Sequence, residues 1–347
     1  MDEIIERKRS TVEGRKLAYR RYIFILTNRY AEKEVAAKKS QVIPSLIKSF
    51  KQDDDDQEIV LAIRAVELTL VTDPSDTAHS TLLKELRTIY NSEEGTMEAK
   101  AAAIHALGTV LIYGGAGDEE IEDTMDELLS IISSDGAEIF ADDSAKVITA
   151  ALQTWGFLAT FIEDLQDKSE DAIEAFKEQT EAHDAGVQTA AGSNIALLYE
   201  KSWTDREEDD APAERAEDDE GFPIDNSLVK RYDPFRQVNQ LKHSLSSLAN
   251  LSSKGVSRRD RSKLHKHFAD VLNTVEHPYR GPEYSNAIDQ ETGRRYGSRM
   301  KIKVGDAGVM RIDRWWKLLR LNEFRRVLGG GFLVHYERNE VVFNNLP

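Results

Sequence analysis

The sequence predicts a mainly α protein, a helical repeat followed by a small α+β C-terminal domain. Three observations lead there. The chain has 347 residues, 40% of them hydrophobic, with only 8 Pro, a composition that favours helix and supplies a sizeable core. An Ala-rich apolar pattern of helical period recurs at a nearly fixed step. The formal charge of −16 conceals two parts of opposite sign.

The repeat comes first. IVLAIRAVELTLV (59–71), AAAIHALGTVLIY (101–113) and ITAALQTWGFLAT (148–160) resemble one another. Ala62, Ile63, Ala65 and Val66 align with Ala103, Ile104, Ala106 and Leu107, and less well with Ala151, Leu152, Thr154 and Trp155. Each follows a shorter apolar helix: IPSLIKSF (43–50), LLKELRTIY (82–90) and MDELLSII (125–132). Helix pairs at this spacing have the signature of an armadillo/HEAT-like repeat. One pair cannot cover its own apolar face, so pairs stack, and Ala lets them approach closely. A long helix over about 2–29 and a pair around 171–201, with GSNIALLYE (192–200) as a degenerate last repeat, would cap the stack.

Polar turns separate the helices. DDDDQ (53–57) could hold a divalent cation, but no EF-hand spacing follows, and Asp at a helix start complements the dipole. GGAG (114–117) lacks the GK[ST] continuation of a P-loop and follows a helix rather than a strand. With no Cys, disulfides, thiolate chemistry and Cys-based zinc fingers are excluded. MDEIIERKRS is no secretory leader, and no apolar run is long enough to span a membrane. The expectation is a soluble protein of the cytosol, and of the nucleus as an alternative. Nothing suggests a cofactor, a metal site, a small-molecule substrate or an enzyme: there is no nucleophile elbow, metal triad or dinucleotide loop.

The expected domains are residues 1–204, the repeat; 205–224, an acidic linker; and 225–347, the basic α+β part. DREEDDAPAERAEDDE (205–220) holds ten acids against two Arg, which is the composition of a solvated spacer. Residues 228–347 carry 23 Lys/Arg and 12 Asp/Glu, whereas residues 1–227 carry 23 and 50. Such asymmetry suggests a polyanion partner for the basic part.

Within that part, Val238, Leu241, Leu245 and Leu248 recur at helical spacing. The next helix lies in SRRDRSKLHKHFADVL (257–272), where Leu264, Phe268, Val271, Leu272 and Val275 make one apolar face. Arg259, Lys263 and Lys266 lie away from that face, with Arg258 and Arg261 at the helix start and Lys254 just before it. Cations there oppose the macrodipole, so helix propensity does not account for them. A cationic ridge gripping phosphates does. Arg320, Arg325 and Arg326 form a second candidate group. Trp315 and Trp316 could stack on a base or fill the core. His265 and His267 diverge on a helix, a poor metal pair, and read as surface groups. Residues 277–299 read as a loop whose Arg294, Arg295 and Arg299 add to the basic surface. KIKVGDAGVMRI (301–312) reads as a β-hairpin, 313–331 as two short helices with Asp313 and Asn322 as N-caps and Gly329 as a C-cap, and FLVHY (332–336) with EVVFN (340–344) as a final hairpin or strand–helix pair.

SSLANLSSKGVSRRDRSKLHKHFADVLNTVE (246–276) followed by MRIDRWWKLLRLNEFRRVLGGGFLVHYERNEVVF (310–343) resembles the interferon-related developmental regulator family. The matching features include Arg259-Asp260-Arg261, Phe268, Val275-Glu276, Ile312-Asp313, Trp315, Gly329, Gly331, His335 and Asn339-Glu340. The segment near 277–300 departs from the family pattern, in which this connection is shorter, and the chain stops soon after Asn339-Glu340. The resemblance implies a non-enzymatic protein with an armadillo-like domain. It also implies one of two settings. Some members associate with translationally inactive ribosomes and block the mRNA/tRNA path, and others act as transcriptional co-regulators. The leading expectation is therefore a ribosome-binding translation repressor that contacts rRNA phosphates and ribosomal proteins through Lys254, Arg258, Arg259, Arg261, Lys263, Lys266, Arg320, Arg325 and Arg326. The alternative is a co-regulator scaffold with a protein ligand on the solenoid's concave face. A third reading folds the basic half onto the acidic half, so that its cations serve only internal docking.

Overall fold

The computed structural model describes the chain apart from residues 8–9, 52–54, 211–226, 251–257, 292, 294, 306–307 and 347, and apart from the side chains of 258–260. It is mostly helical, with a few two-stranded sheets towards the C-terminus. Two compact units emerge, and they do not follow the expected cuts after 204 and 224. The first comprises Met1–Phe161, Lys303–Met310 and Leu319–Pro347, and the second Ile162–Ile302 and Arg311–Leu318.

The first unit opens with α1 (Asp2–Ile5), α2 (Val12–Asn28) and α3 (Glu32–Ala36). The expected single helix over 2–29 is broken. Thr11 restarts it as an N-cap, its hydroxyl accepting from the Gly14 N–H at 3.1 Å. Arg7, in the break, reaches the Ser45 carbonyl and Ser49 Oγ, each at 2.7 Å. Three helix pairs follow: α4 (Lys39–Phe50) with α5 (Asp56–Thr72), α6 (His79–Tyr90) with α7 (Met97–Gly114), and α8 (Asp118–Ser133) with α9 (Ala145–Ala159). The second helices pack side by side, α5 on α7 and α7 on α9. Ala62, Ala65, Ala103, Ala106, Ala150 and Ala151 are all essentially fully buried there. At Gly108 of α7, a Cβ would stand 2.9 Å from the Phe157 ring of α9, so the glycine sets how closely those helices meet. The polar turns end helices, as their composition suggests. Asp55 caps α5 by accepting from the Glu58 N–H at 3.0 Å, and Gly115 closes α7 with a φ of 88°.

In the second unit, α10 (Gln166–Gln179) packs on α11 (Ala185–Lys201). This pair was expected to end the repeat. Instead α11 packs on α13 (Arg258–Glu276), which also receives α12 (Val238–Asn250). Gly192 explains the preference: it leaves room beside it for the His267 and Phe268 rings of α13. The acidic segment is bracketed by a strand pair, with β1 (Trp203–Asp205) antiparallel to β2 (Leu228–Lys230). Most of that segment, 211–224, lies outside the described residues. After α13 comes a hairpin, β3 (Tyr284–Ile288) with β4 (Arg295–Ser298), where a loop was expected. The expected hairpin at 301–312 is formed by β5 (Lys301–Lys303) and β6 (Val309–Arg311).

The C-terminal segment differs most from expectation. One helix, α14 (Trp315–Leu328), replaces the two short ones, so Asn322 is an exposed mid-helix residue and no cap. Gly329, with a φ of 51°, ends it and opens a short 3₁₀ turn. The segments read as strands are helices α15 (Phe332–Arg338) and α16 (Glu340–Asn344).

From Leu319 on, this segment belongs to the first unit, and its side chains bind the repeat. Arg320 donates to the Thr160 hydroxyl and carbonyl, both at 2.9 Å, and stacks over Phe161 with 3.9 Å to the ring centre. Phe324 packs on Tyr113. Arg326 is held between Glu323, at 2.6 and 2.8 Å, and Glu67, whose side chains are 7% and 4% exposed. His335 Nε2 donates to the Leu26 carbonyl at 2.7 Å, which fixes its tautomer, and Asn339 donates to the Val71 carbonyl at 2.9 Å. Gly331 lies so close to the Thr27 carbonyl that a Cβ would overlap it.

Arg326→Leu leaves two buried carboxylates facing each other without a cation. Breaking a buried pair from one side costs on the order of 3 kcal/mol or more, so a marked drop in unfolding temperature is expected. Adding Glu67→Gln should recover part of the loss, measured by thermal unfolding of the three chains.

Candidate nucleic-acid interface

α13 forms because its apolar residues fall on one stripe. Leu264, Phe268, Val271 and Val275 are at most 8% exposed, and burying that stripe outweighs the unfavourable cations at the N-terminus. On its outer side Lys263 and Lys266 are exposed. Lys266 pairs with Glu283 at 2.6 Å, with its own side chain 61% exposed. That bond raises the lysine pKa. Such a pair is worth at most about 1 kcal/mol. Arg261 is half-buried and engaged within the chain. Arg258 and Arg259 are in the helix, but their side chains are not described, and Lys254 lies outside the described residues.

The second candidate group separates. Arg325 is exposed, with its guanidinium 5.9 Å from the Phe332 ring centre. Arg320 and Arg326 are corrections to the expectation of phosphate contacts, since their donors go to Thr160 and to Glu67 and Glu323. Burial pushes the Arg320 pKa down to about 10.

Trp315 belongs to the core. It is 1% exposed, and its indole N–H donates to Thr274 Oγ1 at 2.8 Å. Trp316 is half-buried, with Lys317 5.5 Å from its ring centre. The start of α14 is capped by a side chain distant in sequence: Glu200 accepts from the Trp315 and Trp316 backbone N–H groups at 2.8 and 3.1 Å. His267 is no surface group. Its ring stands edge-on to Phe268 and Trp315, and burial pushes its pKa down to about 4. Among the described residues no group of three His, Asp or Glu could hold a metal ion.

A second basic surface arises at the β3–β4 hairpin. Asp289, Arg295, Tyr296, Ser298, Arg299, Lys301 and Arg311 line one pocket of about 530 Å³. Arg299, Lys301 and Arg311 are exposed, and so is Tyr296 at 53%. The Arg299 guanidinium stands 5.0 Å from the Tyr296 ring centre. Lys301 and Arg311 were not candidates from the sequence. The signal available was KIK followed by MRI, two short alternating strands with outward cations.

A stack of helix pairs with a few small sheets towards the C-terminus defines a helical-repeat protein, with no helix among the described residues long and apolar enough to cross a membrane. Its family follows from comparison: the sequence model of the interferon-related developmental regulator family matches residues 1–276, and the chain belongs to that family. An uncharacterized protein of Schizosaccharomyces pombe is 28% identical over 345 residues, which is 99% of this chain and 72% of that protein. Interferon-related developmental regulator 1 of Homo sapiens is 21% identical, and that of Sus scrofa 20%, each over 99% of this chain and 68% of the relative.

Burial pushes the Glu200 carboxyl up to about 7 from an ordinary 4.5, while the Trp315 N–H and Arg314 pull it partly back. A raised folded-state pKa means that the folded chain holds the proton more tightly. The contribution is therefore full below pH 4.5 and is lost as pH rises through 7. Relative to Glu200→Gln, the wild type should lose up to about 3 kcal/mol of unfolding free energy across that window, at about 1.36 kcal/mol per pKa unit. Urea unfolding of both chains along a pH series measures it.

Proposed function

We propose that the chain is a non-enzymatic ribosome-associated factor. Its basic part grips rRNA phosphates, and the bound chain occludes the path used by mRNA and tRNA. The observation that carries this is the exposure of Lys263, Lys266, Arg299, Lys301 and Arg311 on the second unit of a chain whose formal charge is −16. A polyanion covering these groups releases its counterions, which supplies affinity without reading sequence. A-form RNA offers shape and phosphates rather than base edges to such a surface. Under the co-regulator alternative, a protein ligand would take surface of the repeat other than the side chains of α5 and α7 and Thr160 that Arg326, Glu323, Phe324 and Arg320 of the chain's own α14 engage.

Cosedimentation with purified ribosomal particles tests the proposal. Wild type should pellet with them, and a chain carrying Arg258→Glu, Arg259→Glu, Arg261→Glu and Lys263→Glu should stay in the supernatant. If five phosphates are neutralised, the log–log salt slope is about −3.5 to −4.5. Unchanged pelleting of the charge-reversed chain would remove the proposal.

A further inference from the structure

The hairpin pocket carries more than general charge. We propose that it is a binding site for a nucleotide of single-stranded RNA, with Arg299, Lys301 and Arg311 holding phosphate and Tyr296 stacking on the base. This deepens the ribosome reading, with which it shares Arg299, Lys301 and Arg311, but it needs no contact from α13 and would hold for RNA of any origin.

The site is built by an irregularity in the hairpin. Ser285 pairs with Gly297 and Ile288 with Arg295, so Asn286 and Ala287 together face Tyr296 alone. Such a bulge interrupts the strict alternation of faces and re-aims side chains. Gly297 takes a φ of 67° beside it, a conformation that glycine adopts without strain. Across from the bulge, on β4, Arg295 and Tyr296 both line the pocket.

The lining then has the two chemistries a nucleotide needs. Four cationic side chains stand against one carboxylate, Asp289. Arg299, Lys301 and Arg311 make no ion pair among the described residues, so a phosphate need not displace a carboxylate. Tyr296, 53% exposed as a residue, supplies an aromatic ring beside the Arg299 guanidinium. A base on Tyr296 with a phosphate on the surrounding cations is the arrangement by which single strands are held, and the stack is worth roughly 1–3 kcal/mol per base. A volume of about 530 Å³ is in the range of small-ligand pockets. A duplex is disfavoured, because its bases are stacked on each other and closed to Tyr296. A phosphopeptide would use the cations but leave the aromatic face idle. The hairpin also follows residues 1–276, the part that the family model matches.

Fluorescence anisotropy of the full chain with 5′-fluorescein hexauridylate, at low salt, tests the site. Arg299→Glu combined with Arg311→Glu should weaken binding at least about tenfold, since it removes two phosphate neutralisations and adds two repulsions. Tyr296→Ala should weaken it about five- to hundredfold, the range of one lost stack. A hexamer of abasic ribose phosphates should bind wild type more weakly than hexauridylate does, and should be insensitive to Tyr296→Ala. Lys263→Glu, on the α13 ridge, should weaken hexauridylate binding less than Tyr296→Ala does while it weakens ribosome pelleting, which separates this site from the ridge and its ribosome test. All four positions are exposed, and unfolding temperatures near wild type confirm intact chains. Wild-type affinity in the double variant, equal binding of the abasic probe, or equal binding of a six-base-pair RNA duplex would each overturn the proposal.

Discussion

The placement of the C-terminal segment on the repeat depends on one buried guanidinium. Arg326 lies between Glu67 of α5 and Glu323 of its own helix, and Thr109 Oγ1 stands 3.4 Å from a carboxylate oxygen of each. Three charges in an interior are expensive, with a desolvation cost of several kcal/mol per ion even after relaxation. The planar fork offsets this by donating to both carboxylates at once. With two anions to one cation the balance stays negative, and burial raises the Glu67 pKa accordingly. Arg326, flanked by both, remains charged against its own burial. Any other seating of this helix on α5 would part Glu67 from the guanidinium that bonds it. The cluster therefore acts through specificity more than net stability, and Phe324, Arg320, His335 and Asn339 make their contacts in the register it sets.

That arrangement sorts the cations of the basic half. Those that meet the acidic repeat are consumed: Arg326 by carboxylates, Arg320 by the Thr160 carbonyl and the Phe161 face. Magnitudes decide that they stay there. Pulling a buried guanidinium out to meet a phosphate would sacrifice about 3–5 kcal/mol, more than one phosphate contact returns. The Lys266–Glu283 pair, whose side chains are 61% and 34% exposed, costs at most about 1 kcal/mol to break. Internal docking thus takes some cations of the basic segment and leaves others exposed.

The repeat was legible because burial imposes a period: Ala62, Ala103 and Ala151 fall where stacked helices must approach, and all three are buried. α13 was legible for the same reason. The tail was not. FLVHY and EVVFN are short apolar runs, and a short run fits a strand or a helix equally; contacts distant in sequence, His335 to Leu26 and Asn339 to Val71, decide for helix. The compact units were hidden because neutral packing drew the boundary where charge suggested another. Gly192 admits the rings of α13 to α11, although the two lie on opposite sides of the acidic segment. The pocket was half visible. Arg295 and Arg299 were counted as basic surface, but that they share one cavity with Lys301 and Arg311 has no signature in a single sequence.

These contacts change what the resemblance can say. Gly331, His335, Asn339 and Trp315 carry much of the resemblance read from the C-terminal segment, beyond the residues 1–276 that the family model matches, and each has a structural duty: close approach to Thr27, a bond to Leu26, a bond to Val71, and a core position beneath α13 bonded to Thr274. Such residues specify how the chain folds, and a match built on them is a match of architecture. The groups able to meet a phosphate stand elsewhere, on exposed turns and strands where substitution disturbs little packing. Fold and ligand are thereby written in separate residues. A relative could keep every docking contact while altering the hairpin's cations, and so share the architecture while differing in what it grips.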